Sequence, residues 1–172
     1  MREYSRLDTV IANIPYTAMV LLGAAIIALA YAFSPFGLAS AGLYLAYGVA
    51  GAFWIMFFVC PYCAFFDTKA CPCGYGMIAA RIAKKGAREN FAEKFKKHIP
   101  VIVPLWILPV LYAAIGLWQS FSWLLAILVA AFVIEAWIIL PMVSKKHCCA
   151  ECPQKEQCPW MGTGGSCARD AQ

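Results

Sequence analysis

Charge is scarce in this chain and confined to a few places. Of its 172 residues only 13% are Asp, Glu, Lys or Arg and 63% are hydrophobic, whereas a soluble globular domain carries about 25% charged residues. That balance excludes a soluble fold. From Thr9 to Phe66 there is no Asp, Glu, Lys, Arg or His, and from Ile99 to Ser144 there is one, Glu135. Histidine is equally sparse. His98 and His147 flank the second apolar block and neither block contains one, so the paired axial ligands of a haem in the membrane core are missing. The basic residues do not gather in a recognisable nucleic-acid module, which argues against nucleic acid as a partner.

What is present in abundance is apolar length. One spanning helix needs roughly 20 apolar residues, and each block is long enough for two. The first is divided by Ser34-Pro35-Phe36-Gly37, where Pro and Gly end one helix and begin the next; the second by Gln119-Ser120-Phe121-Ser122. The expected spans are 15–33, 38–59, 102–118 and 123–143. The apolar stretch of the first exceeds the h-region of a signal peptide, about 7–15 residues, and is read as retained. Pro104 and Pro109 are expected to kink the third span and leave carbonyls free for a neighbour.

Four spans return the chain to its starting side. The N-terminus, the loop 60–98 and the tail 144–172 then share one compartment, and all 14 Lys and Arg lie there. By the positive-inside rule that compartment is the cytoplasm. The formal charge of +5 is thus a topology signal first and an attraction to anionic lipid second. The fold class expected is an all-α integral membrane protein of the cytoplasmic membrane: a single domain, an antiparallel four-helix bundle with both termini cytoplasmic and a small Cys-rich cap. Within the loop, Tyr75–Lys97 alternates Ile78, Ile82, Phe91 and Phe95 with basic residues at helical spacing, with Gly86 as a break. It reads as an amphipathic helix on the inner leaflet.

The nine cysteines all fall on the same side as the basic residues. Their absence from the opposite side excludes a thiol oxidoreductase working in the oxidising compartment, and dense cysteine in a reducing cytosol points to metal or redox chemistry. The first group, Cys60, Cys63, Cys71 and Cys73, has the form C-x2-C-x7-C-x-C. Prolines after Cys60 and Cys71 stiffen the turns, and Gly74 and Gly76 let backbone amides turn toward sulfur. Four thiolates from two tight turns can surround one zinc or the corners of an iron–sulfur cluster. The second group follows the fourth span. Cys149, Cys152, Cys158 and Cys167 form C-x2-C-x5-C-x8-C, with Cys148 and His147 as substitutes. The first group resembles zinc-ribbon knuckles and the second the Cys-Pro segments of ferredoxins.

Two such groups at one depth are what an electron-transfer pair requires. The sequence therefore predicts two cytoplasmic iron–sulfur clusters of the 4Fe–4S type, with zinc as the alternative. The chain would pass electrons between a soluble redox partner and quinone, or another subunit of a membrane redox complex. A membrane scaffold with zinc knuckles and a soft-metal carrier that captures its cargo at Cys148-Cys149 are the competing classes. Glu135, the lone ionisable side chain within a span, is expected to face a cavity or a partner, either supplying a proton near quinone or resting neutral in a hydrogen bond between helices. His98 is a second candidate for cofactor contact. Trp106, Trp118, Trp123 and Trp137 fit interfacial belts and packing.

Overall fold

The computed structural model describes residues 3–149, 152–155 and 158–159, and among these every regular element is helical. Helix α1 spans Arg6–Ala30, starting well before the apolar run suggested, because its start is set by a cap. Ser5 Oγ accepts from Asp8 N–H at 3.2 Å, while Asp8 Oδ2 accepts from Ser5 N–H at 3.0 Å and from the Ser5 hydroxyl at 2.8 Å. This reciprocal box satisfies orphan donors at the helix start.

The predicted break at 34–37 is a matched end and beginning. Ala32 and Phe33 take left-handed φ values of 47° and 56°, and Phe33 N–H closes on Ala28 O at 2.9 Å. Ser34 Oγ then accepts from Gly37 N–H at 3.2 Å, with Pro35 at the first position of α2 (Pro35–Phe58), where its missing N–H loses nothing. A 3-10 turn over Cys60–Tyr62 follows. The expected amphipathic helix is two short ones, α3 (Tyr75–Ile82) and α4 (Phe91–His98). The chain between them passes Gly86, whose N–H donates to Pro61 O at 3.0 Å.

Helix α5 (Pro104–Gln119) corrects one expectation. Pro104 starts this helix after a 3-10 turn over Ile99–Ile102, a position that proline favours, and only Pro109 lies inside it. Helix α6 (Trp123–Ile134) is capped by Ser122, whose Oγ accepts from Leu125 N–H at 3.4 Å. The chain continues as a π turn over Glu135–Ile139, helix α7 (Leu140–Val143) and a second π turn over Ser144–Cys149. Glu135 N–H reaches both Ala131 O and Phe132 O, while Leu140 N–H reaches Glu135 O, five residues before it, so the helical register widens directly after the one charged residue of the block.

Among the described residues, four helical stretches are long and apolar enough to cross a membrane: Arg6–Ala30, Pro35–Tyr62, Arg88–Gln119 and Trp123–Lys146. Only 33, 28, 22 and 17% of their apolar windows, in that order, is buried inside the protein. The remainder, including Leu43, Val49 and Ile127, faces outward in a way water does not tolerate over such lengths. This is compatible with a multi-pass membrane protein.

The chain divides into two units, neither contiguous. Residues 13–52 and 101–142 form one; residues 1–12, 53–100 and 143–172 form the other. In the first, Met19, Ile26, Ile27, Leu105, Leu125 and Phe132 are buried together. Polar groups there are answered by tyrosines. Pro109 cannot donate to the carbonyl of Leu105, four residues before it, and the Tyr44 hydroxyl donates to that carbonyl instead at 2.7 Å. Tyr47 likewise donates to Val101 O, whose 3-10 partner would be Pro104, and Tyr16 to Gly48 O at 2.7 Å.

If Tyr44 serves chiefly to answer the carbonyl freed by Pro109, Tyr44→Phe lowers stability in micelles by about 1 kcal/mol. The same change in a Pro109→Ala background, where an N–H is restored, costs clearly less. Equal costs in the two backgrounds would show that the hydroxyl has another role.

Candidate thiolate metal site

The second unit holds the cysteines, and its local structure is built around their sulfurs. The Cys60–Tyr62 turn is tied by Tyr62 N–H to Val59 O at 3.1 Å and Cys63 N–H to Cys60 O at 3.0 Å. Downstream, Asp67 N–H to Gly76 O at 3.2 Å closes a small loop. Within it, Thr68 anchors to Phe65 O through both its N–H, at 3.3 Å, and its hydroxyl, at 2.9 Å.

Cys71 sits in that loop with backbone amides turned toward its sulfur. Gly76 N–H donates to Cys71 Sγ at 3.3 Å, and the N–H groups of Cys73, Gly74 and Tyr75 also favour its thiolate form. Two glycines permit this. Gly74 has φ of 72°, a left-handed conformation that a side chain disfavours. At Gly76 the constraint is contact: a Cβ there would lie 2.3 Å from Phe65 O. Any larger residue would push the Gly76 amide away from sulfur.

The tail reaches the same place. Gln154, 7% exposed, accepts from Ala64 N–H at 2.6 Å and donates its amide to Tyr62 O at 3.3 Å and Arg88 O at 3.2 Å. Cys158 is buried with Val59 and Phe91, and Cys63 and Tyr62 pack against that cluster. Cys63 lies within electrostatic reach of Cys71, Cys152 and Cys158, Cys152 of Cys158 and Cys71, and Cys60 of Cys63 and Cys71. The six described cysteines, Cys60, Cys63, Cys71, Cys73, Cys152 and Cys158, are free thiols.

Burial governs the acidity of Cys63, Cys71 and Cys152. It pushes Cys63 up to about 11, against the pull of Phe65 N–H and with a further push from the neighbouring thiols. It also raises Cys71, opposed by the surrounding amides, and Cys152, opposed by the backbone N–H of Gln154. Among the described residues no three His, Cys, Asp or Glu side chains stand close enough to hold a metal ion. The sulfurs are neighbours but not a closed single-ion shell.

The remaining candidates lie as follows. The side chains of His147, Cys148 and Cys149, and the whole of Cys167, fall outside the described residues. His98 stacks on Phe58, ring centroids 4.9 Å apart and planes inclined by 16°, with Trp54 at 5.8 Å; aromatic neighbours hold it. Glu135 is half-buried at the start of its π turn. Sequence reasoning missed Gln154, since a lone polar residue in a polar tail carries no spacing or charge signal. A cavity of about 460 Å³ opens on Cys71 and carries Arg6 and Lys69 on its wall. No protein-family model matches this chain, and neither does any curated protein or solved structure.

Because Cys63 keeps its proton to about 11 when folded, against an ordinary value of 9.0, the metal-free fold binds more protons than the unfolded chain over that interval. The contribution of Cys63 to stability is present below pH 9.0 and declines as pH rises toward 11. Alkylation of Cys63 in folded, metal-free protein, followed by peptide mass spectrometry, should rise steeply only near that upper limit; a midpoint near 9 would mean that the thiol is not desolvated.

Proposed function

We propose that this chain is a membrane-embedded electron-transfer subunit whose cysteines hold iron–sulfur centres. It passes electrons between a soluble redox partner and quinone or a neighbouring membrane subunit. The observation that carries this reading is the environment of Cys71, a sulfur faced by four backbone amides among partly buried thiols. Amide hydrogen bonds stabilise thiolate and tune the potential of a bound cluster. Around zinc, Zn–S bonds of about 2.3 Å bring sulfurs to about 3.8 Å from one another. A cluster, being wider, takes thiolates that stand farther apart.

The orientation belongs to the same proposal. With both termini and residues 60–98 cytoplasmic, all 14 Lys and Arg obey the positive-inside rule, and the thiols face a reducing compartment. Glu135 supports the quinone end of the path, since π turns within helices recur at functional positions and a carboxyl at this depth suits proton exchange.

The cavity at Cys71 favours a second reading, a soft-metal carrier. Its two cations suit delivery of the metal as an anionic complex, with the thiols as acceptors.

Protein purified anaerobically in micelles tests the choice. Iron with acid-labile sulfide and broad visible absorption supports electron transfer; colourless protein loaded with zinc overturns it, and copper(I) in place of iron favours the carrier. Orientation is tested separately on intact cells. A membrane-impermeant maleimide should leave the native cysteines unmodified until the membrane is permeabilised, and modification from outside would reverse the assignment.

A further inference from the structure

The expected division of the cysteines gave one centre to the loop and another to the tail. The structure brings the two groups together. Gln154 is separated from Ala64 by 90 residues, yet all three of its polar contacts are with loop backbone, and it is buried. A glutamine is seldom buried unless its amide is fully answered; here the carbonyl accepts one hydrogen bond and the NH2 group donates two. Two of those partners, Tyr62 O and Ala64 N–H, flank Cys63 on either side. Gln154 therefore holds the tail against the Cys60–Cys63 turn, with Cys152 two residues before it. Four residues after it, Cys158 is packed into the cluster that Cys63 adjoins.

We propose that the loop and the tail build one composite thiolate centre, with Cys60, Cys63 and Cys71 from the loop and Cys152 from the tail as its ligands and Gln154 as the residue that seats the tail. The inference rests on the reading that these thiols bind metal, and it specifies which of them act together. Within this set Cys63 and Cys71 lie within electrostatic reach of each other, and each lies within such reach of both Cys60 and Cys152. Three ligands precede Gly74 and one arrives from beyond the fourth apolar helix, so the centre ties the end of the chain to its middle.

The test uses the full-length chain in micelles, reconstituted anaerobically with ferrous iron and sulfide. Cys152→Ser should lose the iron bound through Cys60, Cys63 and Cys71. Gln154→Ala should keep the four cysteines but weaken iron retention against a chelator by about 10- to 100-fold, the usual effect of removing an outer-shell partner. Since either variant could act by loosening the fold, Cys152→Asp supplies a readout of ligation itself. A carboxylate in place of one thiolate should leave an iron centre with an altered electron paramagnetic resonance spectrum. Full iron content in Cys152→Ser, or an unchanged spectrum in Cys152→Asp, overturns the composite centre while leaving metal binding intact. A wild-type protein that takes up no iron overturns metal binding, and the composite centre with it.

Discussion

A polar group surrounded by apolar side chains has no water to turn to and must find its partner within the chain. The described structure is organised by that requirement. It makes the Tyr44 hydroxyl the complement of the carbonyl that Pro109 leaves open and directs Tyr16 and Tyr47 to backbone oxygens. The same rule recurs among the cysteines, where Gly76 N–H meets a sulfur, and in the tail, where a buried glutamine has all of its capacity engaged by three backbone groups. Except at Gly48, which lies inside α2, an irregularity of the backbone, whether a proline, a left-handed glycine or a non-helical turn, creates the open group. A single side chain or amide then closes it.

The thiols show the same rule with a different outcome. Desolvation holds Cys63, Cys71 and Cys152 protonated, and on the proposed reading a metal would displace those protons on binding. Amides around Cys71 offset part of that cost. On the proposed reading, the apolar setting that suppresses ionisation without metal also excludes water from a centre once formed. Such exclusion is one of the means by which a protein sets a cluster's potential.

The four apolar stretches were legible because composition over some 20 residues is a summed signal that single residues cannot disguise. Break positions were legible for the same reason that caps exist: Ser34, Pro35 and Gly37 each satisfy a local geometric need that their neighbours cannot. Helix limits were less so. The start of α1 depends on the exchange between Ser5 and Asp8, which lies outside the apolar run. The amides facing Cys71 could be anticipated from Gly74 and Gly76, although Gly76 is required by its approach to Phe65 O and not by backbone angle. That the tail lies against the loop was expected from their common depth, but the contact that joins them was not legible, because it depends on Gln154 and on groups far apart in sequence.

The separation of Gln154 from Ala64, 90 residues, has a consequence for how the protein comes into being. During synthesis the Cys60–Cys63 turn emerges long before the residue that will lie against it, and both remaining apolar helices must be made in between. Until then the backbone groups of Tyr62, Ala64 and Arg88 await their partner, and the loop exists only in an unfinished form. The nascent chain thus passes through an interval in which its earlier thiols are exposed to whatever the cell offers them, and translation of the segment that carries Gln154 ends that interval.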